Sequence, residues 1–226
     1  MPLQIAIDGP VASGKSTVAR ELALRLGCTF LDTGALYRAV AVAALQRGIA
    51  PEDERTVASL VKSADPKVVI DPKTPLGYKI RVDGRLIGDE LFAPAVSHAV
   101  SAIAANAAVR KHLIAAQRDF AGARDVIMAG RDIGSVVLPN ADFKFFLTAT
   151  VEARVDRRLR ELHDMGVAID RETLMREIQT RDERDRTRKV SPLVMAPDAV
   201  AIDTSAMTIA QVVDLLEHKV REAPRA

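Results

Sequence analysis

An α/β fold built on a parallel sheet flanked by helices is what this sequence predicts, on three observations. Strand-like apolar runs alternate with helix-like amphipathic ones along most of the 226 residues, the order that builds parallel sheets through crossover helices. A glycine-rich octet matching G-x-x-x-x-G-K-[ST] stands between the first such strand and the first such helix, where that motif can wrap backbone around phosphate oxygens. A hydrophobic content of 48% over this length is enough to bury one main α/β core with small appendages.

Residues 3–7, apolar apart from Gln4, read as a buried strand. The octet Gly9-Pro10-Val11-Ala12-Ser13-Gly14-Lys15-Ser16 follows, with Thr17 behind it. Its glycines free backbone N–H groups to point at phosphates, and the new helix adds its positive end. Lys15 reaches the terminal phosphates, and the Ser16 hydroxyl can ligate magnesium. Residues 16–26 carry Val18, Leu22 and Leu26 in helical steps. Residues 29–31 then read as a strand and 35–46 as a helix. Residues 67–70, 78–82 and 85–87 break the alternation: they are short, β-branched and punctuated by Pro and Gly. Asp83-Gly84 is a tight-turn dipeptide, so a small antiparallel insert is expected. The alanine-rich stretch 93–120 reads as two helices, the second restarting at Asn106 as N-cap. Strands at 125–128 and 143–147, a helix at 151–163, a strand at 199–202 and a helix at 209–220 resume the pattern. No internal repeat or low-complexity tract interrupts it.

The segment 170–191 stands apart. Arg181-Asp182-Glu183-Arg184-Asp185-Arg186-Thr187-Arg188-Lys189 has almost no apolar content, so it is expected to project into solvent as a helix or loop closed by Pro192. On helical geometry Arg181, Arg184, Asp185 and Arg188 fall on one side. Arg154, Arg157, Arg158 and Arg160 are spread over more than one face of their helix and read mostly as surface residues.

A net charge of +2, from 32 basic and 30 acidic side chains, provides no global field for nucleic acid or an anionic membrane, so an anion site has to be built locally. Met1-Pro2-Leu3 leads into the first strand with no basic or apolar leader, and no run approaches a membrane span, so a cytoplasmic protein is expected. Cys28 is the only cysteine, which rules out an intrachain disulfide and reads as an inert buried thiol. No long apolar surface stripe is evident, and a monomer is expected.

In a parallel sheet the ligand lies beyond the carboxyl ends of the strands, so the loops at Gly9, Asp32 and Gly130 should share one rim. Asp32-Thr33-Gly34-Ala35-Leu36-Tyr37-Arg38 offers a helix start, a hydroxyl and an arginine there. Its spacing suits a second anion site and equally a plain Asp or Thr cap with a solvated arginine. Gly130-Arg131-Asp132-Ile133-Gly134 brings a cation and a carboxylate to the same rim, or else is a tight turn with an Arg–Asp pair. The arginine-rich segment fits a solvated self-paired helix, a nucleic-acid patch or a mobile lid. Interleaved acids and missing aromatics disfavour the patch, and a neighbouring phosphate loop favours the lid, because phosphoryl transfer needs charge stabilisation and exclusion of water.

Taken together, Ile7-Asp8-Gly9-Pro10, Gly14-Lys15-Ser16-Thr17, the stretch from Asp32 to Arg38, the stretch from Gly130 to Gly134, and Arg181 with Arg184-Asp185-Arg186 and Arg188 resemble the bacterial cytidylate kinase family, from first strand to last helix. The resemblance implies a P-loop nucleoside monophosphate kinase fold with a small antiparallel insert that binds the monophosphate and an Arg-rich lid. It implies boundaries of 1–64 and 121–226 for the core, 65–120 for the insert and about 170–191 for the lid. It implies transfer of the γ-phosphoryl group of ATP to CMP or dCMP with magnesium, and no nucleic-acid or membrane partner. Residues 9–17 would hold ATP and Ser16 the metal. Thr33, Arg38, Ser101, Arg110, Arg131, Asp132, Asp185 and Arg188 would hold CMP, while Lys15, Arg131, Arg181 and Arg188 would serve catalysis. Arg38 and Arg131 would grip the acceptor phosphate, and Arg181 and Asp185 would reach the sugar or the transferring phosphates. Two positions depart from the family pattern: Ala129 stands where many relatives carry an acid, and Thr33 stands where serine is commoner. A small-metabolite kinase with Asp132 as base is the runner-up, and a nucleotide-binding regulator a more distant reading. A GTPase is disfavoured because no Asn-Lys-x-Asp sequence is present.

Overall fold

The structure is a computed structural model and describes residues 2–122 and 124–222. Met1, where the leader reading begins, and residues 223–226, assigned to the core, lie outside the described residues.

Five parallel strands form the central sheet in the order β2-β6-β1-β7-β8: β1 (Gln4–Asp8), β2 (Thr29–Asp32), β6 (Val126–Gly130), β7 (Phe143–Thr148) and β8 (Val200–Asp203). β1 lies at the centre, and Ile5, Ala6 and Ile7 are fully buried. That explains why these three are apolar in succession, since a central parallel strand is covered on both faces. Helices α1 (Lys15–Leu26), α2 (Gly34–Gln46), α6 (Val151–Asp164) and α8 (Ile209–Glu222) are the crossovers and covers. The observed bounds differ from expectation by a residue or two, mostly because strands run one residue further toward their carboxyl ends.

The insert also forms as expected. β3 (Lys67–Ile70), β4 (Tyr78–Val82) and β5 (Arg85–Ile87) pair antiparallel, and the β4–β5 turn has positive φ at both Asp83 and Gly84, the geometry of a type I′ hairpin. α3 (Glu54–Ala64) precedes these strands and is an element the sequence reading did not place. α4 (Pro94–Ala105) and α5 (Ala107–Ala121) follow, separated at Asn106, whose side chain accepts from the amides of Ala108 and Val109. Tyr78 fastens the insert to the sheet: its ring lies 6.1 Å from that of Phe30, and its hydroxyl receives the Asp32 amide at 3.2 Å. One continuous apolar core runs from the central sheet into this insert.

Three expectations are corrected. The segment 170–191 does not project freely: α7 (Arg171–Thr187) buries Leu174 and Ile178 against Val155 of α6, with Met175 packed beside them, so a few well-placed apolar residues dock a helix that is otherwise polar and charged. Of its four aligned residues, Asp185 is buried and Arg181 and Arg188 are half-buried, whereas Arg184 is exposed. Arg154 and Arg157 are not surface residues. Arg154 is buried, and Arg157 donates to Ser13 O and to the hydroxyl and carbonyl of Thr204. Cys28 is half-buried rather than buried, because it lies at the open start of β2. Among the described residues no helix is long and apolar enough to cross a membrane.

Candidate active site

The carboxyl ends of β1, β2 and β6 open into a cavity of about 370 Å³. At its floor the phosphate loop turns from β1 into α1. Gly9 is required here by space, since a Cβ would stand 2.2 Å from the Leu147 carbonyl of the adjacent strand. Gly14 takes a left-handed conformation at the N-cap of α1, with φ +85°, and Ala12 holds φ +55° without being glycine. Such local strain is characteristic of functional loops and is tolerated when neighbours fix it.

Val11, Ala12, Gly14, Lys15, Ser16 and Thr17 line the cavity. Gly9, Pro10 and Ser13 stand behind this wall. The Pro10 carbonyl accepts from Lys15 Nζ at 2.9 Å, and Ser13 is buried. Burial and then the Arg131 cation press the Lys15 ammonium well below its ordinary pKa. This lysine therefore sits in a field already rich in positive charge, ready for a polyanion. Asp8, at the end of β1, accepts from the amides of Ile133 at 2.8 Å and Gly134 at 2.7 Å, fixing the π-helical turn Ile133–Val137 after β6. Burial pushes its pKa up to about 6.

The opposite wall gathers residues from distant parts of the chain. Thr33, Arg38, Ser101, Arg110, Arg131, Asp132, Arg181, Asp185 and Arg188 all line the same cavity. Arg38 is oriented by Leu91 O at 3.1 Å and Ser97 Oγ at 2.9 Å, and burial lowers its pKa. Thr33 is buried and gives its hydroxyl proton to the Ala129 carbonyl at 3.0 Å, so this side chain braces β2 against β6. Asp132 does not pair with Arg131, as a tight turn would require. It pairs closely with Arg110, which is 1% exposed, and lies 3.7 Å from Arg188. Arg131 instead donates to Asp185 of α7 at 2.8 Å. Burial opposes the charge on Asp185, but Arg131, Arg181 and Arg188 outweigh it and hold its pKa below the usual carboxylate range. Burial, with Arg131 adding repulsion, draws the Arg181 pKa down to about 10.

Some contributors were given no role at the site by the sequence. The Tyr37 ring lies 5.2 Å from the Arg110 guanidinium, and burial pushes its phenol up to about 12. Phe92 lines the cavity from a segment in no motif, and Arg158, read with its neighbours as a surface residue, lines it as well. For magnesium, the wall offers the Ser16 hydroxyl and the Asp32 carboxylate. Among the described residues no cluster of three or more His, Cys, Asp or Glu could hold a metal unaided. This donor set fits an ion that takes one or two protein oxygens and completes its shell with water and nucleotide phosphates.

A family model described as cytidylate kinase matches residues 5–222 of this chain. The cytidylate kinase of Enterococcus faecalis is 42% identical over 220 residues, covering 97% of this chain and 96% of that protein. The cytidylate kinase of Nocardia farcinica is 44% identical over 222 residues, covering 98% and 94%. A bifunctional pantoate ligase/cytidylate kinase from Synechocystis is 46% identical over 213 residues, which are 94% of this chain but 41% of that larger protein. Among solved structures, an uncharacterized protein from Eubacterium ventriosum superposes with a TM-score of 0.56 at 13% identity over 99% of this chain and 100% of its own, a likeness of fold alone. A cavity that faces a phosphate loop with guanidiniums from five separate stretches thus sits in a chain whose relatives match it over nearly its whole length, and the chain belongs to the cytidylate kinase family.

Proposed function

We propose that this chain transfers the γ-phosphoryl group of ATP to CMP or dCMP, giving ADP and CDP or dCDP. The observation that carries the reading is the single cavity in which the loop around Lys15 faces Arg38, Arg131, Arg181 and Arg188. The acceptor in such a reaction is a phosphate oxygen, largely ionised near neutral pH because its second pKa is about 6. No general base is needed, and positioning with charge neutralisation supplies nearly all the catalysis. In this reading residues 9–17 hold the triphosphate of ATP, and Arg38 and Arg131 hold the acceptor phosphate. Arg181 and Asp185 reach toward the sugar and the transferring group. Ser16 would hold magnesium, which when bound supplies charge neutralisation on the phosphate oxygens.

Cytosine presents an N4 donor beside the N3 and O2 acceptors, which suits a carboxylate flanked by donors. Asp132 with Arg110, Arg188 and Ser101 is that combination, whereas the O4 acceptor of uracil would meet Asp132 lone pair to lone pair. The same geometry disfavours Asp132 as a base for a hydroxyl acceptor, since one of its oxygens is taken by Arg110 and the other faces Arg188. Residues 65–120 are the proposed monophosphate-binding insert, the segment near 170–191 the lid, and the remainder of the chain the core. A monomer working in cytoplasmic pyrimidine metabolism completes the proposal.

Measuring ADP formation with CMP, dCMP, UMP, AMP and shikimate tests it. Turnover is expected with CMP and dCMP above the others; preference for shikimate would favour a small-metabolite kinase, and tight ATP binding without turnover a regulator. Lys15→Met is expected to lower kcat by roughly 10²- to 10³-fold with the fold intact, the loss seen when one preorganised charge donor is removed. Near-normal turnover would overturn the proposed donor site.

A further inference from the structure

Val11, in the phosphate loop, is held at three points by the α6–α7 hairpin. Its N–H donates to Asp182 Oδ1 at 3.2 Å, and its carbonyl accepts from Arg154 Nη1 at 3.1 Å. Its side chain packs on the cluster of Val155, Leu174 and Ile178 that docks α7 on α6. Asp182 and Arg154 also pair closely with each other, their side chains 13% and 6% exposed, and Arg154 Nε is anchored on Ala149 O at 3.2 Å. Neither charged residue lines the nucleotide cavity, yet Asp182 follows Arg181, which does. The residue after Val11 is the strained Ala12.

We propose that Asp182 and Arg154 form a latch between phosphate loop and lid, which sets the register in which Arg181, Asp185 and Arg188 face the loop. Both are positioning residues, and the proposal rests on the kinase reading above. The geometry favours a latch over an ordinary buried ion pair because both partners terminate on the two backbone groups of one loop residue. Releasing Val11 would let α7 shift against the loop while the amide-lined pocket for the triphosphate persists. Catalysis should suffer more than ATP binding, since misplacement of catalytic groups by an ångström can cost about 10²-fold in rate.

The test uses the full chain with Asp182→Ala, Arg154→Ala, the double variant and Asp182→Asn, each followed by kinetics with ATP and CMP, ATP titration calorimetry and thermal melts. Expected for each alanine variant is a kcat lower by about 10- to 100-fold, with the Kd for ATP changed by less than about 3-fold. The double variant should be no worse than the poorer single within about 3-fold, because coupled partners are not additive. Asp182→Asn keeps an acceptor for the Val11 amide and loses the charge, so it should recover part of kcat. If Asp182→Ala fails to fold, Asp182→Asn carries the test. A kcat within about 2-fold of wild type, with only the melting temperature lowered, would overturn the latch, as would losses that multiply in the double variant. A wild-type chain that turns over no nucleotide would instead overturn the kinase reading beneath it.

Discussion

At the scale of single residues, the site depends on charges whose partners decide what they can do. Asp132 is fixed by Arg110, and removing its carboxylate altogether would strand a guanidinium that is 1% exposed, a loss of about 3–5 kcal/mol for a broken buried pair. Asp132→Asn is the gentler probe. It keeps the volume and replaces a pure acceptor with a group that can also donate, so the preference for CMP over UMP in kcat/KM is expected to fall by about 10- to 100-fold. Equal losses on both nucleotides would remove Asp132 from base recognition. Asp8 yields a pH prediction. Its folded pKa of about 6 lies above its ordinary value of 3.8, so the folded state binds the proton more tightly than the unfolded chain. Its contribution is therefore fully present below about pH 4 and is lost as pH rises through 6, by a total of about 3 kcal/mol. Urea unfolding of wild type and Asp8→Asn between pH 4 and 7 should show the wild type losing ground to the variant as pH rises, with the difference levelling above 6. A difference that stays flat would show that Asp8 does not titrate in that window.

At the scale of elements, caps and small apolar contacts decide where helices stop and which face they show. Asn106 caps α5 with its side-chain oxygen, and its amide reaches Glu54 O at 2.9 Å, joining the start of α5 to the start of α3. Asn106→Ala should lower unfolding free energy by about 1–2 kcal/mol, the usual cost of a lost cap, as read by urea denaturation; no change would mean that the helices hold each other without it. The Asn106 signal was legible because capping chemistry is local. The docking of α7 was not, since Leu174, Met175 and Ile178 are few apolar residues ahead of a charged run and their partner Val155 lies on another helix. Arg154 was misread for the same reason: its acceptors are carbonyls at Val11 and Ala149 and a carboxylate at Asp182, none of which spacing within α6 can reveal.

At the scale of the whole molecule, the apolar core is continuous from β1 through α2 to the antiparallel insert, while α6 and α7 share a separate small apolar cluster of three buried side chains and the Arg154–Asp182 pair. Cooperative unfolding follows contact continuity, and the segments with few buried contacts open first. Calorimetry is expected to give one main transition for sheet and insert together, and hydrogen exchange should find α7 the least protected of the long helices. Two resolved transitions, with the insert melting before the sheet, would mean that the joint at Tyr78 and Phe30 is too weak to couple them. This arrangement suits the proposed division of labour, in which a rigid cradle meets a lid that can move.

The alternation of strands and helices that builds the central sheet, the phosphate loop and the hairpin turn at Asp83-Gly84 were determined by the sequence alone, because each depends on periodicity or on backbone chemistry within a few neighbouring residues, whereas α3 was not. The family resemblance likewise named Thr33, Arg38, Ser101, Arg110, Arg131, Asp132, Arg181, Asp185 and Arg188, which line the cavity, but gave no role there to Tyr37, Phe92 or Arg158. Only the tertiary structure decided the pairings: Asp132 with Arg110 rather than Arg131, Arg131 with Asp185, and Val11 with Asp182 and Arg154. A charge takes the nearest desolvated partner in space, and that nearness is set by how strands and helices pack, which no spacing along the chain records.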